Sequence, residues 1–390
     1  MPATENKGLG RAGHYAPQIQ GYKAFIPADL PPVPPVQMDD ELQLLLSDAD
    51  RALGRLDGAT ETLPNPDLFV FMYVRKEAVL SSQIEGTQAS LMDVLEFEAK
   101  AQKADHPEDV PEVVNYVAAM NQGLQRLETL PVSLRLIREI HEILLKGVRG
   151  GEKRPGEFRT RQNWIGAENS PIERAAFVPP PPNVMLDALA SLERFLHDDS
   201  PMPPLVKTGL AHAQFETIHP FIDGNGRIGR LLITFLLCEK KILRRPLLYL
   251  SHYLKARRTE YYDRLQAVRD RGDWEGWLKF FFRGVASVSL EATQTARKIM
   301  DLRERHRNLL TSKMGRGAGN ALALLETLYF RPIVSVKQVA EITKISFPNA
   351  NALVEALKKH GLLVETTGRR RNRVFAYQPY LDLFENENAG

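Results

Sequence analysis

The sequence predicts a mainly α-helical protein with a small helix-turn-helix module towards its C-terminal end, on three observations. Apolar residues recur at helical spacing through most of the chain from residue 39 to residue 313. The stretch 151–182 differs in kind, with Gly, the pairs Trp164-Ile165 and Phe177-Val178, and four successive prolines, which suits a hairpin or a long ordered loop. Beyond residue 318, three short helical patterns (319–329, 336–342, 347–359) are followed by two apolar strands, 362–365 and 373–377, around a basic turn. At 390 residues the chain exceeds what one core usually organises, which predicts two or three domains.

Composition narrows the classes. A hydrophobic fraction of 43% with 25% charged residues is that of a globular protein and excludes disordered, collagen and coiled-coil chains. The 51 Lys and Arg against 48 Asp and Glu leave +3, too little for a protein that coats its surface with cations to bind nucleic acid. That excess falls in residues 331–390, with nine basic against six acidic residues, so any phosphate site further upstream must rest on a few placed groups. Cys238 is the only cysteine, which excludes an intramolecular disulfide and a cysteine metal site and predicts a reducing, cytoplasmic setting. Residues 1–17 carry Glu5, Lys7 and Arg11 without the apolar segment of a secretory signal. The longest apolar run, 231–238, stops at Glu239, short of the roughly 20 residues that span a membrane.

In order along the chain, the Gly- and Pro-rich first 35 residues read as an extended arm packed onto the rest. A helix from Asp39 places Leu42, Leu45, Leu46, Ala49, Leu53 and Leu56 on one side and stops at Asp57-Gly58. A second follows Asn65-Pro66 and runs to Ile84, Glu85 and Gly86, and Ser90 caps a third. After a break at 107–111, helices are predicted at 112–127, 131–148, 183–197, 205–217 and 228–241, then from Ser251 through Trp274, Trp277 and Phe280, which read as core.

One stretch carries chemistry: His219-Pro220-Phe221-Ile222-Asp223-Gly224-Asn225-Gly226-Arg227-Ile228-Gly229-Arg230, between two helices. Gly224 and Gly226 permit a tight turn just before a helix N-terminus, whose free amides and dipole favour an anion. Arg227 and Arg230, three apart, project in similar directions and suit further phosphate oxygens. Asp223 offers a hard carboxylate for Mg²⁺, which usually binds through one or two carboxylates and the phosphates of a nucleotide. His219 stands beside the cradle with a side chain suited to general-base work.

These twelve residues match the Fic family signature, His-Pro-Phe-x-Asp/Glu-Gly-Asn-Gly-Arg-x-x-Arg, without departure. The sequence resembles the protein adenylyltransferases of that family, the SoFic type most closely. The resemblance implies a Fic helical domain with a β-hairpin flap (111–300), an N-terminal arm and helical domain (1–110) and a small winged helix-turn-helix (315–390). It also implies transfer of AMP from ATP to Ser, Thr or Tyr hydroxyls of target proteins or of the enzyme itself, with release of pyrophosphate. On the same basis His219 would deprotonate the hydroxyl and Asp223 would hold Mg²⁺ at the α- and β-phosphates. Gly224, Asn225 and Gly226 would line the cradle, Arg227 would contact phosphates and Arg230 would receive the γ-phosphate.

Ser81 and Glu85 lie one helical turn apart before Gly86, and a carboxylate there opposes the helix dipole unless a cation answers it. Read alone, Glu85 is a solvated surface residue. Its setting resembles the family's N-terminal inhibitory motif, which implies that Glu85 pairs with Arg230 and blocks productive ATP binding. By position, residues 161–178 resemble the flap, with Trp164, Ile165 and Phe177 as target contacts or as pins of the hairpin. Tyr261 and Tyr262 resemble the tyrosines flanking adenine, with Tyr261 favoured for the nucleotide. The C-terminal module suits DNA through helix 347–359 and the Arg369–Arg373 turn, but Glu355 and the lack of arginine on that helix weaken that reading in favour of a protein or homodimer contact. A nucleotide sensor without turnover, removal of AMP and transfer of another phosphate-containing group are the alternatives to the adenylyltransferase.

Overall fold

The computed structural model describes residues 10–61, 66–99, 107–148, 152–166, 170–368 and 371–385. The mainly helical expectation holds, and the differences are local. The arm is not simply extended. It folds into an antiparallel hairpin, β1 (Gly13–Pro17) and β2 (Lys23–Pro27), in register from Gly13 opposite Pro27 to Pro17 opposite Lys23. Gly13 is required there, because a Cβ would lie 2.0 Å from the Ile26 carbonyl oxygen, at a φ of +134°. Phe25 is fully buried and its amide donates to the Val178 carbonyl, while the Arg11 guanidinium forks onto Glu275 at 2.9 and 3.0 Å.

Helix α1 (Asp40–Glu61) runs through Gly58, where the sequence placed its stop. Packing along the later helix α11 keeps Leu56 and Thr60 buried, which outweighs the roughly 1 kcal/mol that a helical glycine costs. Helix α2 (Asp67–Ile84) ends at Glu85, and Gly86 takes a φ of +102°. Helix α3 (Leu91–Glu98) begins with a capping box of Ser90 and Asp93. Helices α4 (Val110–Arg126) and α5 (Leu134–Leu144) form an antiparallel pair, and Ser133 caps α5. Helices α6 (Pro182–His197), α7 (Pro204–Ile218) and α8 (Asn225–Glu239) follow, with nearly every residue of α7 and α8 buried.

The predicted helix from Ser251 is three: α9 (Ser251–Ala256), α10 (Arg258–Arg271) and α11 (Trp274–Lys313), the breaks falling at Arg257 and at the left-handed Gly272. At 40 residues, α11 is about 60 Å long at 1.5 Å per residue. Trp274, Trp277 and Phe280 are core, as expected, and the Trp277 indole donates to the Gly209 carbonyl at 2.8 Å.

The C-terminal part contains α12 (Ala318–Leu328), β3 (Ile333–Ser335), α13 (Val336–Thr343), α14 (Phe347–Lys359), β4 (Val364–Glu365), β5 (Val374–Ala376) and α15 (Gln378–Glu385). The strands form an antiparallel sheet in the order β3-β5-β4. Neither β3 nor α15 is legible in the sequence. β3 has three residues and takes its pairing from β5, while α15 is fixed by tertiary contacts, with Tyr380 and Phe384 buried against Tyr329 and Tyr73. Arg369 and Arg370 of the basic turn lie outside the described residues. No helix among the described residues is long and apolar enough to cross a membrane.

Candidate active site

The loop between α7 and α8 is held by its own backbone. His219 ends α7 in the left-handed region at φ 51°, and Gly224 opens α8 at φ 75°. Asn225 accepts from the Phe221 amide and donates to the Phe221 carbonyl, both at 2.8 Å. Its side chain therefore clamps the loop, so the place in the anion cradle expected of Asn225 falls to its backbone amide. Phe221 is buried and stacks on His141 with centroids 3.7 Å apart. The Gly156 amide must donate to His141 Nδ1 (2.8 Å), so Nε2 carries the proton and donates to the Asp223 carbonyl (3.0 Å). Burial, ahead of the charge of Arg227, lowers the His141 pKa to about 4, in keeping with a neutral strut. Arg159 Nε donates to the His219 carbonyl at 2.9 Å, and Asn163 donates to that of Phe221 at 2.8 Å. With carbonyls turned inward and the first intrahelical bond of α8 running from Ile228 to Gly224, the amides of Asn225, Gly226 and Arg227 head a helix N-terminus.

His219 is partly buried, and its Nδ1 has no hydrogen-bond partner among the described residues. Burial, then the guanidiniums of Arg269 and Arg159, lower its pKa to about 3, so the imidazole is neutral at physiological pH and able to accept a proton. Burial alone would raise the Asp223 carboxyl. Lys153 at 3.0 Å from Oδ2, Arg227 and the Gly224 amide on Oδ1 at 2.7 Å together hold it below the ordinary range. Among the described residues no three His, Cys, Asp or Glu side chains gather into a metal-holding group. A divalent ion at the ionised Asp223 would therefore need phosphate oxygens as further ligands, the manner typical of Mg²⁺.

Arg227 and Arg230 are each 3% exposed, and Glu85 engages both. One oxygen lies 2.8 Å from Arg230 Nη2 and the other 2.9 Å from Arg227 Nε. Arg230 Nε also donates to Ser81 Oγ at 2.7 Å and its Nη2 to the Ser81 carbonyl at 3.0 Å, while Arg227 Nη1 meets the buried Glu112 at 3.3 Å. The cation that Glu85 needs at its helix end is thus two guanidiniums. Although burial disfavours its charge, Arg230 has a raised pKa because of Glu85 first among its neighbours. Glycine at 226 is what lets the carboxylate seat, since a Cβ there would lie 2.5 Å from Glu85 Oε1. Glu216 is a further buried carboxylate beneath α8. Its Oε1 lacks a hydrogen-bond partner among the described residues, and burial raises its pKa to about 7, with Arg230 opposing.

Tyr261, favoured above for the nucleotide, is core. It is 1% exposed, and its hydroxyl meets Nε2 of His212, whose Nδ1 donates to the Gly229 carbonyl. Tyr262 is the ring at the surface, 43% exposed and close to Arg258. Among the described residues of the expected β-hairpin flap there is one bridge, Ile165 opposite Phe177, with a 3-10 turn at Ile172–Arg174. Phe177 is buried against Phe25 and lies 3.8 Å from the Arg269 guanidinium, so it pins the segment and faces no target. Trp164 remains exposed at 42% and donates to the Ser170 carbonyl. Glu112, His141, Lys153 and Arg159 are not legible in the sequence, since each is a single polar residue far along the chain from the loop it serves, and Glu216, only three residues before His219, reads as an ordinary helix residue. Only the cluster of basic residues and glycine around Lys153 hinted at a functional turn.

Two buried guanidiniums, helix-end amides and a neutral imidazole on a helical frame define a phosphate-handling site. The chain belongs to the Fic/DOC family: residues 43–125 match the family's N-terminal model and residues 131–237 its Fic/DOC model. It is 30% identical over 181 residues to a probable protein adenylyltransferase of Aquifex aeolicus, covering 45% of this chain and 51% of that protein. It is 31% identical over 156 residues to the protein adenylyltransferase Fic of Drosophila ananassae, covering 40% and 28%. The chain therefore spans about half the length of the first relative and less of the second. A crystal structure of a Fic family protein from Desulfovibrio desulfuricans shares the fold, with a TM-score of 0.58 at 20% identity over 88% of this chain and 97% of that one.

Proposed function

We propose that the protein is a Mg²⁺-dependent adenylyltransferase that moves AMP from ATP to hydroxyl side chains of target proteins or of itself, held at rest by Glu85. The observation that carries this reading is the neutral His219 in the same loop as an ionised Asp223 and the helix-end amides. His219 takes the proton of an incoming Ser, Thr or Tyr hydroxyl. The hydroxyl oxygen bonds to the α-phosphorus, the bond to the bridging oxygen breaks, and pyrophosphate leaves. The amides of residues 225–227 and Arg227 neutralise charge on the phosphates, and Arg230 receives the γ-phosphate once Glu85 vacates it. Asp223 would hold Mg²⁺, which would supply charge neutralisation at the phosphates. Tyr262 flanks the base, and Trp164 with Ile165 meets the target backbone as an added strand.

Glu85 supports the autoinhibited reading because it already fills the anion site with a carboxylate. The test is labelled ATP with the wild-type, Glu85→Gly and Glu85→Gly/His219→Ala proteins. Retention of the α-label on protein by Glu85→Gly alone supports the proposal, and retention of the γ-label, or of no label, overturns it. The C-terminal module, residues 315–390, serves protein contact in preference to duplex DNA, since Arg373 is tied to Glu355 and Asn351 at 2.7 Å each and Phe347 is 58% exposed. A salt-sensitive gel shift of the full chain on duplex DNA would overturn that assignment.

A further inference from the structure

Asp223 has one oxygen committed within its own loop and one that is not. Oδ1 accepts the Gly224 amide at 2.7 Å and lies 3.7 Å from Arg227 Nη2. Oδ2 faces the Lys153 ammonium at 3.0 Å. Lys153 comes from a segment 70 residues upstream, and the fold brings it to this oxygen by design of the backbone. His141 accepts the Gly156 amide on one ring nitrogen and donates to the Asp223 carbonyl with the other, so a single imidazole holds both the turn that follows Lys153 and the residue it pairs with. Arg138 Nε adds a bond of 2.7 Å to the Gly156 carbonyl. The turn bearing the lysine is fixed, whereas its head is 39% exposed on a four-carbon stem that can swing.

We propose that Lys153 is the resident cation of the Asp223 seat, so that a divalent ion reaches Asp223 by exchange with the ammonium. This rests on the proposed role of Asp223 as the metal residue. Mg²⁺ binds its oxygens at about 2.0–2.1 Å and keeps several waters, and an ammonium 3.0 Å from the same oxygen occupies the space those waters need. Like charges cannot share that oxygen at such range, so the two cations alternate. Without a divalent ion Lys153 pairs with the carboxylate, and with one the ammonium is displaced. Lys153 is thus a positioning residue that sets how readily metal loads.

The experiment titrates Mn²⁺, with free ion followed by electron paramagnetic resonance, into the full chain saturated with ADP. Lys153→Met, which keeps volume and loses charge, should bind Mn²⁺ about two- to fivefold more tightly, the worth of losing an exposed competing ion pair. Lys153→Arg should stay near wild type, and Asp223→Asn should lose the site. ADP affinity in EDTA and the melting temperature check that each variant is folded. Unchanged or weaker Mn²⁺ binding by Lys153→Met, with the site lost in Asp223→Asn, overturns the exchange and leaves the metal seat standing. Undiminished Mn²⁺ binding by Asp223→Asn overturns both.

Discussion

The two rims of the His219–Arg230 loop are built in opposite ways. On one, Glu85, Arg227, Arg230, Ser81 and Glu112 form a charged junction in which three elements, α2, α4 and α8, meet and each guanidinium is 3% exposed. On the other, the described residues of segment 161–178 carry a single bridge, an exposed Trp164 and a buried Phe177 that ties the segment to the N-terminal hairpin. The first has its partners already, and under the proposed autoinhibition one of them would have to leave before the site acts. The second has unfilled surface and needs a partner to add. A buried ion pair is worth most to the side left behind, because removing one member strands the other, whereas exposed rings are worth little until something covers them.

The largest effect should therefore come from the catalytic loop in the released state. In a Glu85→Gly background, His219→Ala should lower the rate of AMP incorporation by about 10²- to 10⁴-fold, measured with α-labelled ATP. Glu85→Gly by itself should raise automodification at least about tenfold over wild type, the equivalent of about 1.4 kcal/mol. Equal labelling of the two proteins would erase the contrast between the rims.

Next come the struts. Phe177→Ala should lower stability by about 3–5 kcal/mol in a denaturant titration, as expected of a buried aromatic in the core, while Trp164→Ala should stay within about 0.5 kcal/mol and raise KM for a protein target without changing kcat. Asn225→Ala leaves the Phe221 amide and carbonyl without their partner and should cost about 1–3 kcal/mol, read as a lowered melting temperature. The mildest test is the pH profile. His219 is held at about 3, below its ordinary 6.5, so it is already neutral above about pH 4. The Glu85→Gly rate should then be flat from pH 6 to 8, and a fall through 6.5 would mean a solvated imidazole.

What could be read beforehand follows the same division. The loop from His219 to Arg230 is contiguous, so its chemistry was visible in one window, and Glu85 was found because its spacing from Ser81 and Gly86 matched a second short pattern. Glu112, Lys153 and Glu216 were not legible. Each is an ordinary charged residue in its own segment and gains meaning only from a guanidinium, a carboxylate or a glycine that the fold brings to it. The ranking of Tyr261 over Tyr262 failed for a related reason. Helical periodicity correctly placed Tyr261 with Leu265 and Val268 on the buried face, and the analogy that preferred it for the base ran against that physical signal. The missed N-terminal hairpin and β3 are strands of five residues or fewer whose pairing, not their composition, makes them strands.

Glu85 reaches Arg230 from within the same polypeptide, at the end of α2. As an occupant of the anion site it is a tethered competitor, present at a local concentration that dilution of the protein does not alter. Under the proposed autoinhibition, diluting the protein would leave the restraint unchanged, and ATP would compete against a rival whose supply is constant until the end of α2 moves.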